Sequence, residues 1–178
     1  MDKVLEIGHF SAGFCGRLFA QNGADVVRVK QDPLPSWVTS EAMDLYLHSD
    51  KKMVDCQDRD RIRELASKAD LLVFEGTSAD SVESWGIDQW DVPLKSIITP
   101  FGLTGPKKNW RSSSNVLLAM GGYTNCSGDP DKAPLSIPGH YVEFQAGQFA
   151  YIAANAASFA EESATIDVSM LECVMALS

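Results

Sequence analysis

The first hundred residues alternate between two hydrophobic periods, and that alternation restricts the fold more than any other feature of the chain. "KVLEIG" is a short apolar run closed by Gly8, after which residues 11–22 repeat Phe14, Leu18 and Phe19 at helical spacing before Gly23. "ADVVRVK" is a second β-branched run, a polar stretch with prolines fills residues 31–50, and "KMVDC" is a third run. Asp58 opens a helix with Ile62, Leu65, Ala66 and Ala69 on one face. "DLLVFEG", a short helix at "SADSVESWG" and "SIITP" complete the series. Strands that alternate with helices are joined by crossovers, and crossovers make neighbouring strands parallel. The pattern predicts one parallel α/β sheet, with helices on both faces, from residues 4–7, 26–29, 53–54, 71–74 and 97–99.

After Pro100 the texture changes. A Gly/Pro loop, "FGLTGPKKNWRSS", leads into a helix at "NVLLAMGG"; a turn-rich stretch follows, and then a long helix carrying Phe149, Ile152, Ala153, Ala156 and Ala160 on one face. "TIDVSMLECVMALS" reads as a strand running into a helix. At 178 residues and 45% hydrophobic, residues 1–178 make a single domain able to bury a core. The sequence stops within an apolar helix that lacks a polar cap. The expectation is therefore a domain truncated at its C-terminus, or one piece of a larger assembly, with Leu171, Val174, Met175 and Leu177 left exposed.

Charge and cysteine usage exclude several classes of function. A net charge of −9 argues against nucleic acid as a partner, because phosphate binding needs a basic face. No apolar run is long enough to cross a membrane, and the N-terminus lacks the apolar core of a signal peptide. Cys15, Cys56, Cys126 and Cys173 are widely spaced and the three histidines are scattered, so neither a disulfide framework nor a metal site is expected. These features together predict a reduced, cytoplasmic protein.

Three stretches carry candidate chemistry. "GHFSAGFCG" lies where the first strand turns into a helix, with the Gly8-to-Gly13 spacing of a phosphate loop. Phe14 and Cys15 stand where such a loop needs Lys and Ser/Thr, and GxGxxG is not matched either, so tight packing also accounts for the glycines. "PFGLTGPKKNWR" sets Gly102 and Gly105 beside Lys107, Lys108 and Arg111, either a loop for an anionic ligand or a solvated turn. In "PGHYVEFQAGQFAYIAANAA" a lone acid, Glu143, stands at the mouth of the long helix. It is either a charge favoured by the positive end of the helix dipole or a catalytic carboxylate.

The order of these motifs resembles the family III CoA-transferases, the CaiB/BaiF group. Ala12-Gly13 after the first strand, "GADV" from Gly23, Lys51-Lys52-Met53 at the family's "KRS" element, "FGLTGP" from Phe101, "GDPDKAPL" from Gly128 and "IDVSMLE" from Ile166 are similar to family motifs, in the family's order, across nearly the whole chain. The resemblance implies a Rossmann-like parallel sheet, incomplete relative to the full family fold. Members run to about twice this length and dimerise as interlocked rings, so a homo-oligomer or a second CoA-transferase-like domain is the implied partner. The implied activity moves CoA between an acyl-CoA and a carboxylic acid through a carboxylate-bound intermediate. CoA is then a substrate rather than a tightly bound cofactor.

By the same resemblance Glu143 stands at the nucleophilic Asp of the family's "DxxxG", followed by Gly147, and Ser11 at a polar active-site position, with backbone N–H groups near Ala12 facing the oxyanion. Ala12, Gly13, Lys51, Lys52, Gly102, Gly105, Lys107, Lys108 and Arg111 are the implied CoA contacts. "FEGTSAD" occupies the place of the family's "NFRPG", Lys30 that of a usual Glu, and "EESAT" is shorter than its counterpart. These departures frame an alternative, a non-catalytic CoA-transferase-like module kept for assembly.

Overall fold

A computed structural model of the protein describes residues 1–30, 40–160 and 162–177. Six strands, β1 (Lys3–Ile7), β2 (Asp25–Val29), β3 (Lys52–Val54), β4 (Leu71–Glu75), β5 (Leu94–Thr99) and β6 (Ala164–Ser169), form one sheet in the order β3-β2-β1-β4-β5-β6. Every neighbouring pair is parallel. The five predicted strands are present, and β6 joins them at the edge beside β5. Strand order reverses between β1 and β4, and the crevice outside the carboxyl ends of those two strands is where open α/β sheets bind ligands.

Period-two alternation sends each strand's side chains to two separate cores, as a sheet covered on both faces requires. Val4, Val26, Leu71, Val73, Leu94, Ile98 and Val168 face one side, against α1 (Phe10–Gln21), α5 (Ser114–Met120), α6 (Tyr141–Ser158) and α7 (Met170–Met175). Leu5, Ile7, Val29, Leu72, Phe74 and Ile97 face the other, against α3 (Arg59–Ala66) and α4 (Ala79–Glu83). Side-chain caps start the short helices. Asp58 accepts from Asp60 N–H, Ser78 and Ser81 form a reciprocal capping box, and Ser169 accepts from Glu172 N–H.

Two expectations change. The polar stretch contains a helix, α2 (Glu41–His48), whose cap Ser40 accepts from Met43 N–H; the part of that stretch at residues 31–39 lies outside the described residues. Its signal is weak because Leu47 is its only buried residue. At the end of the chain Met175 and Leu177 are exposed as expected, but Val174 is fully buried and packs where Gly121 lacks a side chain.

Candidate functional site

Glycines decide how closely α1 can approach its neighbours. A side chain at Gly8, just after β1, would bring its Cβ within 2.6 Å of Glu75 Cβ, and its φ of 152° suits glycine as well. On the far side of α1, a Cβ at Gly147 would lie 2.6 Å from the Ser11 carbonyl oxygen. Helix α6 therefore crosses α1 almost backbone to backbone. Glu143 stands four residues earlier on the same face of α6, so the crossing aims it at the start of α1.

Glu143 is 8% exposed. Its Oε1 accepts from the Ser114 hydroxyl at the start of α5. Its Oε2 is buried and has no hydrogen-bond partner among the described residues. The Ser11 hydroxyl is likewise buried without a partner. Aromatic rings wall the crossing, with Phe144 edge-on to Phe10 at 4.8 Å and to Phe14 at 4.7 Å, and His140 stacked on Phe10 at 4.1 Å.

Glu75 ends β4 at the strand-order reversal, and its Oε2 accepts from the backbone N–H groups of His9 and Ala12, each at 3.0 Å. A side chain of the protein itself thus takes the place where a dinucleotide-binding fold would seat a phosphate. Part of the residue reaches solvent while its carboxyl group is enclosed. Burial raises its pKa to about 7, Glu143 adds to the rise, and the backbone hydrogen bonds oppose it. Burial, followed by the charge of Arg28, holds His9 below the usual histidine range.

The structure brings together only some of the predicted residues. Ser11 and Ala12 lie in the first turn of α1, and Glu143 lies one turn of α6 before Gly147, which abuts the Ser11 carbonyl, but the Ala12 N–H is committed to Glu75 rather than open to an oxyanion. Gly13 packs against His48, and its carbonyl accepts from Lys51. The Lys51 side chain is 1% exposed and ion-pairs with Glu6 at 2.5 Å, so its ammonium is not offered at the crevice. Lys52, on the edge strand, pairs with Asp25 at the opposite end of the sheet from Gly8. In the loop after β5, Gly102 and Gly105 take positive φ, and Asp167 accepts from Leu103 N–H beside Gly102. Lys107 lies over the Trp110 ring, Lys108 pairs with Glu83, and Arg111 is exposed. The Lys108 carbonyl and Asn109 side chain accept from the first amides of α4, which fastens this loop beside the crevice.

Sequence reasoning missed Glu75 and Ser114. An acid closing an apolar strand next to the reversal point was the available signal for Glu75. Ser114 offered none, because only the tertiary fold brings it to a residue 29 positions away. Among the described residues no cluster of His, Cys, Asp or Glu can hold a metal, and no helix is long and apolar enough to cross a membrane.

The sequence matches the family described as CoA-transferase family III over residues 2–178. The chain belongs to that family. This family III chain is 29% identical to succinyl-CoA–D-citramalate CoA-transferase of Chloroflexus aurantiacus, across 98% of its own length and 50% of that protein's. It is 23% identical to succinate–glutarate CoA-transferase of Agrobacterium fabrum, across 96% of this chain and 50% of the relative. The fold is that of a CaiB/BaiF family protein from Brucella suis, with a TM-score of 0.82 at 20% identity over 99% of this chain and 54% of the other. The chain thus spans about half the length of the relatives it matches.

Proposed function

We propose that this chain transfers CoA between an acyl-CoA and a carboxylic acid, with Glu143 as the covalent carboxylate. One observation carries the reading. Ser114 fixes one oxygen of Glu143 and the other is buried without a partner, at the crevice where this fold binds ligands. In the first step Oε2 attacks the thioester carbonyl carbon and the CoA thiolate leaves, giving a mixed anhydride. The thiolate then attacks the glutamyl carbonyl carbon, expelling the donor acid as carboxylate and leaving a glutamyl-CoA thioester. The acceptor carboxylate attacks that thioester and expels the thiolate. Attack of the thiolate on the acceptor's carbonyl carbon releases the new acyl-CoA and restores Glu143. No net proton is consumed. The Ser11 hydroxyl, buried without a partner among the described residues, is the donor assigned to the oxyanions formed along the way.

CoA acts here as a substrate, with Lys107, Lys108, Arg111 and the Gly102–Gly105 turn as the contacts for its phosphates. Lys51 and Ala12 serve the fold instead. The chain works in the cytoplasm as one N-terminal-type domain that pairs with a second copy or a second CoA-transferase-like domain. The exposed Met120, Val116, Met175 and Leu177 on α5, α7 and the residues just beyond α7 supply apolar surface for that contact. The commitment of Ala12 N–H and Lys51 to internal partners favours the alternative of a non-catalytic module. Incubation with succinyl-CoA followed by hydroxylamine separates the two. An enzyme leaves a protein-bound hydroxamate detected by intact mass, and a module kept for assembly leaves none.

A further inference from the structure

The hydrogen bond that fixes Glu143 also prepares a second nucleophile. The Ser114 hydroxyl donates to Glu143 Oε1, so its proton already points at a carboxyl oxygen. A weak alcohol nucleophile becomes useful when a neighbouring base stands in that position. The two members of the pair differ in access. Glu143 is buried and its Oε2 is closed to solvent, whereas Ser114 is half-buried. The other hydroxyls of the Ser112-Ser113-Ser114 run are placed differently. Ser112 donates to the Ser113 carbonyl, and Ser113 makes no side-chain capping bond to α5. Ser114 is also held on a fixed element, since Leu117 and Leu118 of α5 are buried in the same core as Val142 and Ala146 of α6.

We propose that Ser114 is an acyl acceptor in its own right, and that the Ser114–Glu143 pair gives the chain an acyl-CoA hydrolase activity when no acceptor acid is bound. Ser114 Oγ attacks the thioester carbonyl carbon, and its proton passes to Glu143 Oε1. The tetrahedral intermediate then breaks its C–S bond. The CoA sulfur takes the proton from Glu143 and leaves as the thiol, and the acyl group stays on Ser114 as an oxygen ester. Water next attacks the ester carbonyl carbon and gives a proton to Glu143, which returns it to Oγ as the C–O bond breaks. The products are CoA thiol, the free acid and restored Ser114, with water as the only co-reactant. Glu143 acts here as the base, where in the transfer it acts as the nucleophile. The acyl-CoA substrate class rests on the function proposed above, but the bond formed is different: an ester on Ser114 instead of an anhydride or thioester on Glu143.

The two adducts can be separated on the full chain. Trypsin cuts after Arg111 and after Lys132, so Ser114 falls in the peptide 112–132 and Glu143 in the peptide that begins at Ala133. After succinyl-CoA without an acceptor acid and an acid quench, the succinyl mass should appear on peptide 112–132 and fragment to Ser114. It should survive neutral hydroxylamine and be lost at alkaline pH, as an oxygen ester is. In Ser114→Cys the adduct should become a thioester and turn labile to neutral hydroxylamine, a change that a merely structural serine would not produce. Glu143→Gln keeps an acceptor oxygen for the Ser114 hydroxyl but removes the base. It should slow both ester formation and continuous thiol release by about 10²-fold or more. Should Ser114→Cys not fold, the peptide map of the unaltered chain still decides.

An ester on Ser114 together with a protein-bound hydroxamate on Glu143 supports both activities. The ester alone keeps the hydrolase and sinks Glu143 as the covalent carboxylate. A hydroxamate on Glu143 with peptide 112–132 unmodified overturns the Ser114 inference and leaves the transferase standing. An ester formed at the full rate in Glu143→Gln overturns the inference as well, because the pair is then not the catalyst. No adduct on either peptide and no thiol release overturns both.

Discussion

Two groups of buried charge lie on the same face of the sheet, two residues apart along the strands, and they are built in opposite ways. Under the middle of α1, Glu6 is fully buried; its Oε2 is paired with Lys51, while its Oε1 makes no hydrogen bond among the described residues and lies 3.7 Å from the neutral His48 ring. The Lys51 ammonium spends its three protons on Glu6 Oε2 at 2.5 Å, the Gly13 carbonyl at 2.6 Å and His48 Nδ1 at 3.2 Å. Burial holds His48 neutral, at a pKa of about 2, so it accepts that bond. Gly16 makes the room, since a Cβ there would lie 2.0 Å from Glu6 Oε2. At the carboxyl end of the same strands, Glu75 and Glu143 have hydroxyl and amide donors but no cation, and one Glu143 oxygen has nothing. Each group leaves one carboxylate oxygen buried without a hydrogen bond, which costs stability, so the difference between them is the cation: Glu6 has Lys51, and Glu143 has none among the described residues. A carboxylate buried without a cation is what the proposed covalent role asks for.

That contrast can be broken most forcefully at the closed group. Lys51→Met strands Glu6 as a buried charge and should cost roughly 3–5 kcal/mol in denaturant unfolding. Adding Glu6→Leu to the same variant should return most of the loss, because a buried pair replaced by apolar residues is often close to neutral. If Lys51→Met alone is silent, the group is not a structural ion pair.

The open group should respond with the opposite sign. The folded-state pKa of Glu75 is raised from 4.5 to about 7, so the unfolded chain ionises first as pH rises and the native state loses stability across that window. Below pH 4.5 the group contributes nothing. Glu75→Gln removes the penalty and should be more stable than the unaltered protein at pH 8, by on the order of 2–3 kcal/mol, with the gain vanishing at pH 4. Thermal melts at the two pH values measure the difference.

Smaller effects sharpen the comparison further. Gly147→Ala presses a methyl on the Ser11 carbonyl at 2.6 Å, which is backbone and cannot swing aside; a loss of about 1–3 kcal/mol is expected, together with a lower yield of trapped adduct. Lys52→Ala removes an exposed pair with Asp25 and should change stability by less than about 0.5 kcal/mol, although Lys52 adjoins Lys51 in sequence.

The Lys51–Lys52 contrast shows where reading the sequence ends. The parallel sheet was legible because alternating strands and helices leave a periodicity that each segment carries by itself. Glu143 and Ser11 were singled out by their place in an ordered set of motifs, and the fold buries both, each with an oxygen that has no hydrogen-bond partner among the described residues. The fates of Lys51 and Ala12 were not, since two adjacent lysines look alike until β1 supplies Glu6 beneath one of them. Ala12 N–H looked free for the same reason, as its partner Glu75 lies 63 residues away on another strand. Helix α2 escaped notice because a two-turn helix with one buried residue has almost no apolar period.

The central claim is that the uncompensated oxygen of Glu143 is the reactive atom of the crevice. Peptide mapping after succinyl-CoA and hydroxylamine treatment tests it most directly, performed on the unaltered chain and on Glu143→Asp and Glu143→Gln. The hydroxamate should map to Glu143, vanish in Glu143→Gln and change in Glu143→Asp by up to ~10²-fold, the scale on which a shift of about 1 Å acts. A hydroxamate on Glu75 or any other acid, or its persistence in Glu143→Gln, would contradict the account.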